Sequence, residues 1–288
     1  MSRIVIATSP GSAPHAEDTE LAHELSSCGY QVAIEDWRAP EPAWRDVDVV
    51  VVRSCWDYHL DLDAFTSWAL AVERHALVIN PVALLRWNAD KRYLLKLEAR
   101  GVRIVPTHVM DQRGSLPAVL EDRGWEHAVV KPVVSANADS TWRTERARAS
   151  ADERRIQSMW EQGKQPMVQP FMAELVRAGE WSLVFFDGAF SHAIRRKPAL
   201  GDFRVQACFG GVARVAEAPS FLVRQARAIL SELPEEPVYA RVDGLMRGTE
   251  LILTEVEVIE PMLFFEADRA AAQRLARAIH RRTCARLS

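Results

Sequence analysis

The chain has 288 residues, nearly twice the roughly 150 of one typical domain, so two domains or one subdivided core is expected. Hydrophobic residues make up 48% and charged residues 26%, which excludes a disordered, collagen-like or low-complexity chain. The formal charge of −3 excludes a global basic field for nucleic acid or anionic membranes. Any anionic ligand must therefore be held locally.

The beginning of the chain predicts an α/β domain. Strands alternate with helical spacing, which is typical of a parallel sheet covered by helices. Ligands of such sheets usually bind beyond the carboxyl ends of the strands, where loop 53–58 lies. The predicted elements are strand Arg3–Thr8, a helix with Leu21 and Leu25, strands 31–34 and 47–53, helix 62–75 and strand 76–80.

No targeting, membrane or cysteine-based feature is expected. The first residues form a strand pattern without the apolar core of a signal peptide, and the apolar run 47–52 is far short of the roughly 20 residues that span a bilayer. The four cysteines, Cys28, Cys55, Cys208 and Cys284, form no CxxC pair. No histidine pair has metal-ligand spacing. We therefore expect a cytoplasmic protein with reduced thiols and no membrane partner.

The rest of the chain predicts an α+β region. A helix over 91–99 is closed by Gly101, and Asp187-Gly188 is typical of a hairpin turn. Strands are predicted over 102–109, 128–131, 167–169, 181–186, 190–195, 238–242 and 251–258, and helices over 151–162, 221–233 and 267–286.

Three carboxylates near the end of the chain are candidate metal ligands. Residues two apart in a strand face the same side, so Glu255 and Glu257 project together. The Arg247-Gly248 turn would bring Asp243 beside them. Crowded carboxylates repel, and a bound cation relieves that repulsion; oxygen-only ligation suits Mg²⁺ or Mn²⁺. The alternative for the EVE string alone is a solvated strand face.

Two lysines are candidate phosphate ligands. Lys91 lies in WNADKRYLL, and Lys131 ends the apolar strand AVVK before Pro132. An ammonium at such a strand end suits phosphate as a point charge. Taken singly, each lysine is more often an exposed strand or helix terminus than a ligand.

Two segments could contact a nucleotide. The glycine-free run 133–143 is rich in small polar residues and could close over phosphates, although an ordinary surface loop fits its composition equally well. The string VQPFMAE over 168–174 places an apolar Phe171-Met172 pair beside an acidic residue. Apolar walls suit a purine base, and a carboxylate suits a ribose diol.

A group of cations follows. Arg195, Arg196, Lys197 and Arg204 are close in sequence, and Arg241 shares a strand face with Asp243. A bidentate arginine could hold a transferred phosphoryl group or a substrate carboxylate. The alternative is that these side chains are exposed to solvent, as is usual for a run of charged residues.

Taken in order, these motifs resemble the ATP-grasp superfamily, in the branch with prokaryotic glutathione synthetase, RimK-type ligases and D-cycloserine ligase. The resemblance covers about residues 88–261 and includes VVKP, VQPFMAE, GEWSLVFFDG, GDFRVQACFGG, ARVDG and LTEVEVIEP. It implies an α/β N-terminal domain over 1–87 and a two-lobed α+β ATP-grasp region over 88–288. The implied lobes are a central nucleotide-clamping lobe over 103–169 and a C-terminal metal and nucleotide lobe over 170–288.

The resemblance implies a role for each matching residue. ATP would be bound by Lys91, Lys131, Ser135, Gln169, Pro170, Phe171, Met172 and Glu174, with Glu180 as a competitor of Glu174 on the ribose side. Mg²⁺ or Mn²⁺ would be bound by Asp243, Glu255 and Glu257, and Arg204, Arg241 and Lys197 would serve the phosphoryl transfer. Weaker candidates for substrate binding are Arg53, Ser54, Trp56, Asp57, Tyr58, Arg196 and Glu260.

Two positions depart from the family pattern. Glu257 stands where glutathione synthetase has asparagine, which preserves oxygen ligation and adds a negative charge that Arg241 could offset. The phosphate loop lacks the glycines of many relatives, and Ser135, Ser140 or Thr141 could replace some backbone contacts.

The activity implied by the resemblance is ATP-dependent ligation. A carboxylate is phosphorylated by ATP, and an amine attacks the acyl phosphate to form an amide, between two molecules or within one. The partners would be small carboxylate and amine substrates such as amino-acid derivatives, and relatives are often homo-oligomers. Two alternatives stay open: a nucleotide-binding protein without turnover, and a phosphotransferase with a stable phosphorylated product.

Overall fold

The computed structural model describes residues 2–11 and 13–287; Met1, Ser12 and Ser288, which fall within the predicted domain bounds, lie outside the described residues. The N-terminal part forms a parallel sheet with strand order β2-β1-β3-β4. The expected alternation of strands and helices is confirmed. Its elements are β1 (Arg3–Thr8), α1 (Ala16–Ser27), β2 (Gln31–Asp36), β3 (Val49–Val52), α2 (Leu62–Glu73) and β4 (Leu77–Ile79).

Two short helices, α3 (Val82–Asn88) and α4 (Tyr93–Glu98), lead into a second sheet. This sheet is antiparallel with strand order β5-β8-β6-β7, and α5 and α6 cover it. The added elements are β5 (His108–Val109), α5 (Leu116–Asp122), β6 (His127–Pro132), β7 (Trp142–Glu145), α6 (Ala149–Glu161) and β8 (Pro166–Pro170).

The remaining strands form a third sheet, antiparallel, with order β11-β10-β9-β12-β13. The predicted hairpin at Asp187-Gly188 is confirmed, because Phe186 pairs with Ala189 and both turn residues have positive φ. The last elements are α7 (Ala173–Ala178), β9 (Glu180–Phe186), β10 (Ala189–Lys197), β11 (Val212–Val215), α8 (Ser220–Leu230), β12 (Tyr239–Arg247), β13 (Glu250–Glu257) and α9 (Ala271–Leu287).

Apolar clusters join these layers. One cluster packs α4 and α8 against the third sheet, through residues such as Leu94, Leu222 and Leu253. Another joins the N-terminal sheet to the third sheet and α9, through residues such as Ile4 and Leu275. Because the N-terminal sheet shares its core with the third sheet, its strand ends are held close to β12 and β13.

One predicted strand is wrong. Of the run 102–109, only His108–Val109 belongs to a sheet. Pro106 interrupts the run, and proline has no N–H to donate to a ladder. The preceding residues contact β13 instead, where the Val105 N–H donates to the Leu253 carbonyl at 2.9 Å and the Leu253 N–H donates to the Arg103 carbonyl at 2.9 Å.

Candidate functional site

The β12–β13 hairpin brings the predicted carboxylates together. Asp243 pairs with Glu255 and Arg241 pairs with Glu257 in the antiparallel register. Val256 and Val258 are buried on the opposite face. The expectations that Glu255 and Glu257 share a face and that the turn returns Asp243 beside them are therefore confirmed.

Arginine side chains pair with these carboxylates. Asp243 accepts from Arg241 Nε at 2.9 Å and from an Arg196 terminal nitrogen at 2.6 Å. Glu257 forms an ion pair with Arg241, and Glu180 accepts from Arg196 at 2.8 Å. Arg241 and Arg196 thus fix the carboxylates in one buried network.

The two predicted lysines reach the same place from other elements. Lys91 Nζ lies 3.0 Å from a carboxylate oxygen of Glu255 and donates to the Ser135 carbonyl at 2.6 Å. Within the described residues no hydrogen bond or ion pair reaches Lys131 Nζ. Burial lowers the pKa of Lys131, against the opposing charge of Glu255. We call Lys91, Lys131, Asp243, Glu255 and Glu257 the interlobe site.

The carboxylates of this region differ in how they hold a proton. Burial raises the pKa of Glu257 to about 7, with Arg241 opposing the shift. Burial also raises the pKa of Glu260 to about 8, and the charge of Glu257 adds to it. For Glu255, burial raises the pKa, but Lys91 and Lys131 outweigh it and leave the pKa lowered. Burial therefore favours the protonated form of Glu257 and Glu260, whereas the two lysines favour the ionised form of Glu255.

The residues present fit a hard cation in part. In residues 2–11 and 13–287, no three His, Cys, Asp or Glu side chains are already arranged to hold a metal. The Glu255 and Glu257 side chains are 30% and 23% exposed, whereas that of Asp243 is 2% exposed and bound by arginines. Oxygen donors on one accessible strand face suit Mg²⁺. The assignment of all three carboxylates as ligands stays a prediction.

The predicted adenine hinge lies where β8 ends and α7 begins. Buried Gln169 donates to Thr107 Oγ1 at 2.8 Å, and the Phe171 N–H donates to the His127 carbonyl at 2.8 Å. Pro170 ends β8, and Met172 packs with Leu175 against the small apolar cluster formed by Val105, Leu245 and Ile252.

The two competing ribose-side acids lie in different surroundings. Glu174, in the first turn of α7, pairs with Arg247 at 2.8 Å. Glu180 is buried at the start of β9 and bonds to Arg196 and Thr254. Glu180 therefore belongs to the carboxylate network, and Glu174 lies beside the hinge.

The glycine-free phosphate loop is held by residues that sequence reasoning missed. Asn137, Ala138 and Ser140 have φ of 52°, 56° and 52°, a region that non-glycine residues enter at a cost. Lys164 donates to Asp139 at 2.8 Å and thereby fixes the loop. The sequence around Lys164 does not indicate this contact, because Lys164 and Asp139 are 25 residues apart in the chain.

The predicted phosphoryl-transfer residues Arg204 and Lys197 are not brought to the carboxylates. Arg204 pairs with Asp202 at 2.8 Å and lies 3.6 Å over the Phe209 ring. Lys197 is exposed at the end of β10, opposite Val212. Within the described chain, no hydrogen bond or ion pair joins either cation to the interlobe site. Their roles stay predictions.

Most of the proposed acceptor loop is packed inside the N-terminal domain. Arg53, Ser54 and Tyr58 are buried with protein partners, and Asp57 accepts from Trp37 at 2.9 Å. Two of them also reach the C-terminal lobe: Trp56 Nε1 donates to the Glu260 carbonyl at 3.2 Å, and Arg53 donates to the Pro261 carbonyl at 3.0 Å. Trp56 therefore packs at the domain interface, and substrate binding by this loop stays a prediction.

The cysteines and the apolar helices of the described residues are two further features that bear on function. Among the described residues, Cys28, Cys55 and Cys208 form no disulfide. Cys55 is buried, which raises the pKa of its thiol and agrees with a packing role. No helix among the described residues is long and apolar enough to cross a bilayer.

Comparison with known proteins agrees with this geometry. Residues 4–80 match the family model of the N-terminal domain of D-cycloserine synthetase DcsG, and residues 94–271 match that of the ATP-grasp domain of prokaryotic glutathione synthetase. The chain is 30% identical over 284 residues to the cycloserine biosynthesis protein DcsG of Streptomyces lavendulae, a match that covers 92% of this chain and 94% of that protein.

Solved structures show the same fold. The crystal structure of D-cycloserine synthetase DcsG superposes with a TM-score of 0.88 at 27% identity, covering 98% of this chain and 100% of that one. A D-alanine–D-alanine ligase from Bacillus anthracis superposes with a TM-score of 0.74 at 15% identity, covering 99% of this chain and 98% of that one. The chain belongs to the ATP-grasp family of ATP-dependent ligases.

Proposed function

We propose that this ligase joins a carboxylate to an amine as an amide, with an acyl phosphate between two half-reactions. The observation that carries the proposal is the meeting of Lys91 and Lys131 with the strand face of Glu255 and Glu257. Lysine ammonium groups suit the phosphates of a nucleoside triphosphate, and accessible carboxylates on the facing strand suit its metal ion.

The proposed roles follow from these contacts. Lys91 and Lys131 hold the phosphates of ATP, and Gln169 to Met172 line the adenine. Glu255 and Glu257, with Asp243 behind them, would hold Mg²⁺, which supplies positive charge to the phosphate oxygens when bound. Asp243 orients Arg241 and Arg196 before the substrate arrives, and Arg196, whose buried Nε has no protein partner among the described residues, is the one placed to contact an anion. Arg204 and Lys197 serve the transferred phosphoryl group, and Arg204 leaves Asp202 to do so.

The two half-reactions balance without a protein nucleophile. A carboxylate oxygen of the substrate attacks the γ-phosphorus, the bond from that phosphorus to its bridging oxygen breaks, and ADP leaves. The amine then attacks the acyl carbon, inorganic phosphate leaves, and the amine nitrogen loses a proton. The enzyme contributes positioning and charge stabilisation, as in phosphoryl transfer generally.

A second candidate is ring closure within one molecule that carries both the carboxylate and the amine. The 30% identity to a cycloserine biosynthesis protein across 92% of the chain favours it. In either case the substrate is a small amino-acid derivative. Glu260 and Trp56, which meet at the domain interface, are the proposed acceptor-side residues.

The test is ADP release with magnesium, ATP and a panel of D- and L-amino acids and their small derivatives, with products identified by mass spectrometry. Hydroxylamine should trap the acyl phosphate as a hydroxamate. A product lighter than its single substrate by one water indicates ring closure, and a product joining two substrates indicates intermolecular ligation. A stable phosphorylated product without hydroxamate, or tight ATP binding without any ADP release, would contradict the proposal.

A further inference from the structure

The segment that follows the carboxylate strand is held by the N-terminal domain. We call residues 259–265 the post-strand segment; it begins two residues after Glu257 and includes Glu260. Arg53 donates to the Pro261 carbonyl at 3.0 Å, and the N–H groups of Leu263 and Phe265 donate to the Glu17 carboxylate at 2.9 and 3.3 Å. Among the residues that the structure describes, this segment has no strand pairing of its own. Side chains of the first domain bind its peptide groups instead.

Glu17 and Arg53 also bind each other. Arg53 donates to Glu17 at 2.9 Å, and their side chains are 5% and 2% exposed. A buried ion pair is stable only if further hydrogen bonds satisfy its remaining atoms. Here those additional partners are peptide groups of the post-strand segment, so the pair and the segment stabilise one another.

The segment has few alternatives for its buried peptide groups. Leu263 and Phe265 are buried, so water cannot replace Glu17 as the acceptor of their N–H groups. Between them, Phe264 has φ of 52°, a left-handed conformation that a non-glycine residue keeps only under external constraint. Tyr239, His192 and Arg241 bind the carbonyls of Ile259, Leu263 and Met262. Glu17 and Arg53 add the contacts that tie this segment to the N-terminal domain.

The same segment connects directly to the acceptor side of the site. Trp56 follows Arg53 by three positions and donates to the Glu260 carbonyl at 3.2 Å. A shift of residues 261–265 would move Glu260 relative to Trp56. The lysines of the nucleotide site lie on other elements, at Lys91 before α4 and Lys131 on β6.

We propose that Glu17 and Arg53 are positioning residues for the acceptor half of the reaction: they set the post-strand segment, and through it Glu260, without touching the nucleotide. Arg53 therefore acts through the protein backbone and not as the substrate ligand expected from its loop. This inference rests on the proposed function, because it assigns the segment to the amine-attack step.

The first experiment compares hydrogen exchange in Glu17→Gln, Arg53→Lys and the wild-type chain, without any substrate. Exchange of a peptide spanning 259–265 should be about ten-fold faster or more in Glu17→Gln, because an amide group cannot accept at all three places. Arg53→Lys keeps the charge but loses the fork, so it should not restore wild-type protection. Tyr30→Phe is the matched control: it removes a 2.7 Å contact of α1's following loop to His280 on α9, away from the segment.

The second experiment separates acceptor from nucleotide effects. Glu17→Gln and Arg53→Lys should lower kcat/KM for the amine or cyclising substrate by roughly ten-fold or more, while the Kd of a non-hydrolysable ATP analogue changes less than about two-fold. Tyr30→Phe should change neither quantity. Absence of ligase turnover in the wild type would count against the proposed function and leave the exchange result as a separate measurement.

Three results would overturn the inference. Unchanged exchange over 259–265 in Glu17→Gln would show that the carboxylate does not hold the segment. Wild-type hydrogen exchange and wild-type kcat/KM in Arg53→Lys would show that only the positive charge at this position matters. A loss of acceptor kcat/KM with unchanged exchange would indicate that Glu17 contacts the substrate directly. If Glu17→Gln does not fold, Arg53→Lys carries the same exchange and kinetic tests.

Discussion

Two buried charge clusters in this protein use the same residue types in different ways. The cleft cluster consists of Asp243, Glu257, Arg241 and Arg196. Its carboxylates and guanidinium groups mainly bind one another, and its one contact with the 261–265 backbone among the described residues is from Arg241 to the Met262 carbonyl at 2.9 Å. The interface cluster consists of Glu17, Asp18, Arg53 and Ser54, and its charges also bind peptide groups of residues 261–265.

The difference lies in what each cluster leaves accessible. Glu257 and its neighbour Glu255 remain about a quarter exposed, so a cation or phosphate can reach them. Glu17 and Arg53 are almost fully buried and bind the backbone at fixed distances. A charge cluster that keeps open oxygen atoms suits ligand binding, whereas one that satisfies buried peptide groups sets the position of a segment.

The largest expected effect is on catalysis through the cleft cluster. Glu255→Gln should lower magnesium-dependent turnover by about a thousand-fold or more, because it removes a charged oxygen of the proposed metal site beside Lys91. The midpoint of thermal unfolding should change by only a few degrees, about what 1 kcal/mol produces in a chain of this size. Steady-state ADP release and calorimetry measure the two quantities.

The control is Glu250→Gln, the same substitution on the same strand, where Glu250 pairs with Arg103 on the surface. It should keep wild-type turnover. Wild-type turnover in Glu255→Gln would refute the assignment of this carboxylate to the metal.

Next in size is the stability lost when the central guanidinium of the cleft cluster is removed. Arg241→Met leaves Asp243 and Glu257 buried without their shared cation, and we expect a loss of about 3–5 kcal/mol in the free energy of unfolding. Urea denaturation measures it. A loss below about 1 kcal/mol, the range of surface ion pairs, would show that Arg196 and solvent compensate.

A smaller effect concerns pH. Glu260 has a pKa of about 8 in the folded chain, above its usual value, so the native state binds a proton that the unfolded state has released. Without magnesium and nucleotide, this contribution to stability is complete below the unfolded pKa and is lost as the pH rises to about 8, by at most about 1.4 kcal/mol per pH unit. Glu260→Gln should flatten the decline of the unfolding midpoint between about pH 5 and 8; an unchanged slope would contradict the shift.

The smallest expected effect lies in the phosphate loop. Ala138→Gly should stabilise the chain by up to about 1 kcal/mol, because glycine adopts its φ of 56° without steric cost. Ala136→Gly, two positions earlier and without positive φ, should destabilise it. Urea denaturation measures the change in unfolding free energy that each substitution causes. If both substitutions destabilise the chain, backbone strain at Ala138 is not important.

Sequence reasoning reached the elements whose signals are local. The hairpins at Asp187-Gly188 and Arg247-Gly248 follow from turn chemistry, and the shared face of Glu255 and Glu257 follows from the two-residue period of the returning strand. The pairing of Asp243 with Glu255 also needs the register shift between Asp243 and Gly244, which the sequence pattern does not report. It missed β7 and β11, short strands without strong patterns, and the strand expected over 102–109, where Pro106 and a contact with β13 override the apolar run. Local periodicity cannot report which neighbour a segment will find.

The sequence by itself determined the α/β beginning, the strand face of Glu255 and Glu257, and the family resemblance, because these depend on periodicity, turns and the order of motifs along one chain. Only the tertiary structure decided the partners of the charges. It placed Arg53 on the backbone of residues 261–265, joined Lys164 to Asp139, and left Arg204 with Asp202. Folding brings these partners together at any distance in sequence, and for buried Arg53 an unpaired charge would be costly, so its pairing is obligatory.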